Sequence, residues 1–193
     1  DQDTPVTGFD TGPANTLLDA WARRCLDQPR DDNGEWAARG TVDRELLDRL
    51  MADPYFRRPP PKSTGREYFN LDWLGNHLAG RSDRPEDVQA TLCELSAATI
   101  AESIQKHAPT TERVLVCGGG VHNGHLMQRL QAHLEPRVVE STHAQGLDPD
   151  WVEAMAFAWL ARQTLAGQPG NLPAVTGARN PVVLGAVYPG TAH

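Results

Sequence analysis

The sequence has few of the features that mark secreted, membrane-spanning or nucleic-acid-binding proteins. It contains three cysteines in 193 residues, and an odd, sparse set without C-x-x-C spacing predicts no disulfide framework. A reducing cytoplasm is therefore the expected compartment. No apolar run approaches the roughly 20 residues that a membrane-spanning helix needs. With 18 Lys and Arg against 25 Asp and Glu, the charge also argues against sequence-independent nucleic-acid binding.

The sequence also lacks a metal-ligand pattern. Among its seven histidines, His122 and His125 are three residues apart, with no third partner at a metal-site spacing. We therefore assign no metal-ligating residue. The cysteines, Cys25, Cys93 and Cys117, lie in runs with apolar neighbours, which favours buried side chains that act as small hydrophobes.

Helical and extended patterns alternate along the chain, which predicts an α/β fold with helices over the faces of a sheet. The predicted helices are residues 16–26, 43–51, a short one between Asn70 and Gly80, 85–107, one around 126–134 and 151–165. For the long helix, the pattern predicts one apolar face that carries Val88, Leu92, Leu95 and Thr99. Short apolar runs at residues 113–117, 137–140 and 182–187 are typical of strands, and the first reads as a buried parallel strand.

The first candidate site is the segment of residues 6–15, in which a short extended run brings Asp10 onto a turn restricted by glycine and proline. A helix follows at once, and a helix N-terminus next to a polar turn suits an anion. Asp10 would act there as a general base at a strand end. Thr11 offers a hydroxyl, and Gly12 lets the backbone approach a ligand. By spacing alone, an Asx-turn at Asp10 is the more frequent explanation.

A second candidate site is the run Gly118, Gly119 and Gly120 after the predicted strand at 113–117. A purine and ribose can lie against main chain that carries no side chains. The run matches neither G-x-G-x-x-G nor the phosphate loop that ends in Gly-Lys-Ser/Thr, and a tight turn explains it equally well. Asn123 can bond a ligand or cap the helix that follows.

Two further segments allow both a structural and a functional interpretation. Asp148 or Asp150 can cap the helix that follows, with Glu153 closing a capping box. Alternatively, Glu153 points into a cleft and holds sugar hydroxyls. The proline-stiffened loop at residues 57–66 carries cations that suit a phosphate or carboxylate, although a surface loop or a subunit contact accounts for it as well.

Taken together, these motifs resemble one family, the anhydro-N-acetylmuramic acid kinases. Residues 8–15 are similar to its phosphate-side motif, and further similar segments follow in the family's order. They are residues 62–70, 87–91, 116–123, 146–158 and 171–177. The resemblance covers nearly the whole chain, and the motifs are specific as a set. One departure is Ala14, where the family usually has glycine; if that position needs a positive φ, alanine there is strained.

The resemblance implies a sugar kinase of the hexokinase, heat-shock-protein-70 and actin superfamily. Residues 1–193 would then form a ribonuclease-H-like C-terminal lobe, with a mixed sheet flanked by helices. ATP and sugar would bind in a cleft that an N-terminal lobe, absent from this sequence, completes. The isolated chain would be inactive, because one lobe cannot preorganise the phosphates. Members open the 1,6-anhydro ring of 1,6-anhydro-N-acetylmuramic acid with water and phosphorylate O6, in bacterial cell-wall recycling.

The resemblance also implies roles for individual residues. Asp10 matches the catalytic aspartate, which contacts the sugar, and Glu153 looks like a second sugar contact. The implied ATP contacts are Thr11, Gly12, Gly118, Gly119, Gly120 and Asn123. Mg²⁺ would enter with ATP, held mainly by phosphates and waters, in a cytoplasmic homodimer. The alternatives are a non-catalytic nucleotide- or sugar-binding module of the same superfamily and a kinase for a related sugar without the anhydro bridge.

Overall fold

The computed structural model describes residues 6–190, which divide into two compact units. The larger unit comprises residues 11–58 and 64–150, and the smaller unit comprises residues 6–10, 59–63 and 151–190. The helices of the larger unit are α1 (Asn15–Leu26), α2 (Arg44–Met51), α3 (Pro54–Arg57), α4 (Leu71–Leu78), α5 (Pro85–His107) and α6 (Gly124–Leu134). Its strands are β1 (Arg113–Val116) and β2 (Val138–Ser141), while the smaller unit contains α7 (Val152–Leu165) and α8 (Pro173–Thr176).

Helix α5 lies at the centre of the larger unit. Pro85 begins it, with two acidic residues in its first turn and two basic residues in its last, so that both ends match the helix dipole. Every residue from Val88 to Thr99 is buried, because α1, α2 and α6 all pack against this helix. The predicted single apolar face is therefore only part of a surface that is buried all round.

A buried ion pair joins α5 to α6. The side chain of Glu94 is 3% exposed, and Arg129 donates to it from Nε at 2.7 Å and from a terminal nitrogen at 3.0 Å. His133 Nε2 lies 2.9 Å from Oε1 of the same carboxylate. Burial raises the pKa of Glu94, but the hydrogen bonds and charges of Arg129 and His133 outweigh it, so the net shift lowers the pKa. The folded state therefore favours the charged carboxylate.

The sheet of the larger unit is small and parallel. Strand β1 pairs with β2 with Arg113 opposite Val138 and Val116 opposite Ser141, as expected for two strands joined by a crossover helix. Within residues 6–190, these two strands are the whole sheet, so the mixed sheet predicted from the family resemblance is not seen there. The prediction that β1 is a buried strand is wrong, because Leu115 is 45% exposed.

Two segments that the pattern predicts as extended do not form strands. Residues 6–9 and 182–187 carry no strand pairing in the described part of the chain. A strand needs a partner to satisfy its backbone groups, and β1 and β2 pair only with each other. The apolar pattern alone therefore does not make these segments strands in this structure.

The cysteine prediction is right for only one residue. Cys93 is buried on α5, whereas Cys25 and Cys117 are exposed. Apolar neighbours in the sequence did not indicate burial, because both exposed thiols lie at the ends of elements rather than on a packed face. Across residues 6–190, no helix combines the length and apolar character that crossing a membrane requires.

Ala14, which precedes α1, has the backbone strain predicted from the sequence. Its φ is 46° and its ψ is −129°, a conformation that favours glycine, and Ser96 Oγ donates to its carbonyl oxygen at 2.9 Å. We expect Ala14→Gly to raise the free energy of unfolding of the full-length protein by about 1 kcal/mol, because it relieves this strain. Thermal denaturation measures the change. The matched control is Ala79→Gly, at φ −57°, which should give no gain in stability.

Candidate functional site

Asp10 lies in a cavity of the smaller unit with a volume of about 550 Å³. Its side chain is exposed, and its backbone N–H donates to the carbonyl oxygen of Lys62 at 3.2 Å. Ser63 Oγ donates to Asp10 Oδ2 at 2.9 Å. The cavity is lined by Gly8, Phe9, Asp10, Pro61, Lys62, Ser63, Val175 and Thr176. The site thus presents a carboxylate whose orientation is fixed by a neighbouring hydroxyl.

Lys62 and Ser63 extend this site beyond the residues selected from the sequence. Lys62 is buried, and its Nζ lies 5.9 Å from the ring centroid of Phe9, within the range of a cation–π contact. Both residues come from the loop at 57–66, for which the sequence left the role open. The proline-stiffened cationic pattern indicated an anion site there, but it did not indicate that Ser63 would contact Asp10.

Gly12 belongs to the larger unit and is confined by packing. A Cβ at this position would lie 3.0 Å from Phe56 Cε1 and 3.3 Å from Thr99 Oγ1, so a larger residue would displace its neighbours. Helix α1 then begins at Asn15, without a side-chain cap from Ala14. Its first N–H groups are therefore not satisfied by a capping side chain, which leaves a helix end of the kind that binds anions.

The structure places the glycine run next to the start of α1. Gly118 adopts φ 74°, with open space where its Cβ would be, and a Cβ on Gly120 would lie 3.5 Å from the side-chain amide of Asn15. Gly118 N–H donates to the carbonyl oxygen of Pro149 at 2.9 Å. Two motifs that are about 100 residues apart in the sequence therefore meet within the larger unit.

A polar cavity of about 700 Å³ lies beside these elements. It is lined by Asn15, Thr16, Asp19, Ala20, Arg23, Arg66, Phe69, Asn70, Leu71, Asp72 and Gly119. Asn15 Oδ1 is buried and accepts no hydrogen bond, and such an atom is costly unless a ligand or water completes it. Burial raises the pKa of Asp19 against the opposing charges of Arg30, Arg23 and Arg66. The cavity therefore offers both hydrogen-bond donors and hydrogen-bond acceptors to a ligand.

Asn123 acts as the cap of α6. Its Oδ1 accepts from Leu126 N–H at 2.9 Å, and the residue is buried. The next amide, that of Gly124, donates to Asn33 Oδ1 at 3.1 Å. Of the two roles open from the sequence, the structure contains the cap; a contact of Asn123 with the nucleotide stays a prediction.

A hydrogen bond between His122 and Asp150, which no local sequence pattern predicts, holds the glycine run from its other side. His122 Nε2 lies 2.8 and 3.0 Å from the two carboxylate oxygens of Asp150. Together with the bond from Gly118 to Pro149, it connects both ends of the glycine turn to the turn at residues 148–150. The signal in the sequence was only a histidine after glycines.

Glu153 lies in the first turn of α7, in the smaller unit, and is exposed. The predicted caps are wrong, because Trp151 precedes the helix and no side chain caps it. Asp148 Oδ1 instead accepts the N–H of Asp150 at 2.9 Å, which closes a local turn. Glu153 is therefore not engaged in a capping box, and its contact with sugar stays a prediction.

No group of three or more His, Cys, Asp or Glu side chains within residues 6–190 is arranged to hold a metal ion. His193 lies outside the described residues.

Comparison with known proteins extends over nearly the whole chain. The sequence profile described as anhydro-N-acetylmuramic acid kinase matches residues 1–190. Proteins of that name from Xanthomonas campestris pv. campestris strain 8004 and Coxiella burnetii strain Dugway 5J108-111 are 57% and 50% identical over 188 residues, 97% of this chain and 50% of each relative. The one from Xylella fastidiosa strain Temecula1 is 55% identical over 185 residues, 96% of this chain and 49% of the relative. The chain thus spans about half the length of the curated relatives it matches.

Proposed function

The chain belongs to the anhydro-N-acetylmuramic acid kinase family, and on that premise we propose that the full-length protein is an ATP-dependent kinase of 1,6-anhydro-N-acetylmuramic acid. The product is N-acetylmuramic acid 6-phosphate. The observation that carries the proposal is the site of Asp10, an exposed carboxylate in a cavity, oriented by Ser63. The names of the relatives disfavour a non-catalytic binding module.

In this proposal, Asp10 acts first on water. Its carboxylate takes a proton from a water molecule, whose oxygen forms a bond to C1 of the sugar. The bond between C1 and O6 breaks, and its electron pair stays on O6. A positioned general base is worth about 10²- to 10⁴-fold in rate. Ser63 supports this role because its hydroxyl donates to one carboxylate oxygen at 2.9 Å and so orients the carboxylate.

The second step transfers phosphate. O6 attacks the γ-phosphorus of ATP, the bond from that phosphorus to the bridging oxygen breaks, and ADP leaves with the electron pair. Such a transfer depends on positioning and on donors to the phosphate oxygens. We assign this role to the turn at Thr11 and Gly12 with the uncapped start of α1. Mg²⁺ would enter with ATP and be held mainly by phosphates and waters.

The adenosine side of ATP is assigned to the glycine turn and the polar cavity beside it. The bare main chain of Gly118, Gly119 and Gly120 supports contact with a flat group. Asn15 Oδ1 would accept a hydrogen bond from the ligand, which accounts for its buried position without a partner. Glu153 is proposed as a sugar contact, and Asn123 as an adenosine-side contact that also caps α6.

The proposal also covers the fold of the chain, its partner lobe, its oligomeric state and its compartment. We place it in a fold of the ribonuclease-H-like superfamily that includes sugar kinases and actin, working with an N-terminal lobe that the longer relatives support. We also propose a cytoplasmic homodimer. The composition, with few cysteines, is consistent with a reducing compartment.

The test is an assay of the full-length protein with ATP and 1,6-anhydro-N-acetylmuramic acid. We expect stoichiometric ADP and N-acetylmuramic acid 6-phosphate, identified by mass spectrometry. Plain N-acetylmuramic acid is the control substrate, because it cannot undergo ring opening. Absence of the 6-phosphate in a protein that binds ATP, or a preference for the plain sugar, would refute the proposal.

Ser63 should act as a positioning residue for Asp10. We expect Ser63→Ala to lower kcat of the full-length protein about tenfold, the effect of losing one hydrogen bond to a charged group, with little change in KM for ATP. Ser63→Thr keeps the hydroxyl and should restore most of kcat. Equal activity of the alanine and threonine variants would show that the hydroxyl has no positioning role.

The pair of His122 and Asp150 should hold the glycine turn in its nucleotide-binding shape. We expect His122→Phe to raise KM for ATP about twofold to fivefold, since an exposed pair is worth roughly 1 kcal/mol or less, while kcat changes little. Steady-state kinetics separates the two constants. His143→Phe, at an exposed histidine in another turn, is the control and should leave both unchanged.

A further inference from the structure

Helix α7 is apolar on every side yet has no buried residue. Its sequence from Ala154 to Ala161 contains eight consecutive apolar residues, and a helix that is hydrophobic all round belongs in a protein interior. Phe157 is nevertheless 64% exposed and Trp159 is 49% exposed. Within the described part of the smaller unit, no apolar side chain reaches full burial. The larger unit, by contrast, has its own core of buried leucines and aromatic residues.

The segment at residues 182–188 also lacks partners, in this case for most of its backbone N–H groups. Thr164 Oγ1 donates to the carbonyl oxygen of Leu184, and Gly170 N–H donates to Val182 O at 3.0 Å. Val182 N–H donates to Asn171 Oδ1 at 2.6 Å. Among the described residues, the amides of 183–188 donate no hydrogen bond. An apolar segment with open amides is suited to strand addition at a sheet edge, once the bend at Gly185 straightens.

We propose that α7 and residues 182–188 form a docking surface for the half of the full-length protein that this chain does not span. Residues 182–188 would add as a strand to a sheet of that half, and α7 would pack on its face. Two observations select this occupant. The relatives are twice as long as this chain, and the surface offers both open backbone and large apolar side chains, which an intramolecular core accepts.

This inference rests on the proposed function in one respect: both require that the full-length protein contains a second half, which this chain does not span. The inference also reduces the part of the chain that folds as a lobe by itself. Residues 11–58 and 64–150 have a core of their own, whereas the smaller unit completes its core with the half of the protein that this chain does not span. The apolar run at residues 182–187 then has an explanation: its composition is that of a strand whose partner lies in the half of the protein that this chain does not span.

The first test is amide hydrogen exchange in the full-length protein. We expect slow exchange in peptides from α7 and residues 182–188, at a level similar to that of α5. Phe157→Glu should speed exchange in both segments and lower the melting temperature. Arg162→Glu, an equally exposed position on the same helix, introduces the same side chain and should do neither. Fast exchange in both segments of the wild-type protein would overturn the proposal without the need for any variant.

The second test identifies the occupant. We suggest p-benzoylphenylalanine in place of Tyr188, which is 90% exposed, with photo-crosslinking in the full-length protein and peptide mapping. A crosslink within one polypeptide to the other half supports the proposal. A crosslinked dimer, or a crosslink only to residues 11–150, overturns it. The kinase assay is independent, because protection and crosslinks without activity would refute the proposed function alone.

Discussion

Asp10→Asn is expected to lower kcat of the full-length protein in the proposed reaction by about 10²- to 10⁴-fold, the usual contribution of a positioned general base. Asparagine keeps the size of the side chain and can still accept from Ser63 Oγ, so the geometry at 2.9 Å is retained while the base is lost. KM for ATP should change little, because the role proposed for Asp10 is to act on water and not on the nucleotide. Coupled measurement of ADP release gives kcat directly.

The control for Asp10 is the same chemical change at another exposed aspartate. Asp32 forms a surface ion pair with Arg30 at 2.8 Å, so Asp32→Asn should leave kcat within about twofold. Calorimetry with ATP should show that the Asp10 variant still binds nucleotide. Turnover by Asp10→Asn close to the wild-type rate would contradict the role of this residue as the base.

Arg129→Ala is expected to destabilise the full-length protein by about 3 kcal/mol. The substitution leaves the carboxylate of Glu94, whose side chain is 3% exposed, without its bidentate partner, and an uncompensated buried charge costs about 3–5 kcal/mol. The lower end applies because Arg129 is partly exposed and His133 remains 2.9 Å from the carboxylate. Urea denaturation gives the free energy of unfolding.

Two further variants show how much of the stability lost in Arg129→Ala comes from the unpaired charge of Glu94 and how much from lost packing. Adding Glu94→Gln to Arg129→Ala removes the orphaned charge and should recover part of the lost stability; no recovery would attribute the loss to the arginine stem. Arg49→Ala breaks an exposed pair with Glu45 and should cost less than about 0.5 kcal/mol.

The same carboxylate predicts a direction for the pH dependence of stability. Because the pKa of Glu94 is lowered in the folded state, its contribution is fully present above the unfolded value of about 4.3. It is lost as the pH falls below that value and through the folded pKa. The wild-type protein should therefore lose more stability between pH 5 and pH 3, both rough limits of this window, than Glu94→Gln does.

The helices could be predicted from the sequence because each carries its own signals. Asn70 caps α4 through a bond from Trp73 N–H at 2.9 Å, and Pro85 begins α5, both as the local pattern indicates. The sheet was less predictable, since strand pairing depends on partners distant in the sequence. The pattern at residues 182–187 has the right composition for a strand, but among residues 6–190 this segment pairs with no other strand.

The sequence indicated those members of the candidate site that have a distinctive chemical group or backbone of their own. It did not indicate the members that belong to the site only through a contact with another residue. Asp10 and the glycine run could be selected from the sequence because each lies on a turn that follows a predicted extended segment and precedes a helix, while their roles stay predictions. Ser63 and Asp150 act through contacts to Asp10 and His122, across 53 and 28 residues of sequence respectively. No local pattern encodes such distances, so only the folded chain reveals these partners.

The sparse cysteines give the protein three thiols with different chemical reactivity. Burial raises the pKa of Cys93 to about 12 and also raises the pKa of Cys25, so both hold little thiolate at neutral pH. Cys117 is exposed and directly precedes Gly118. An electrophilic fluorophore attached to Cys117 would therefore sit beside the glycine turn, and under the proposed function its signal should change when ATP is added, without any engineered residue.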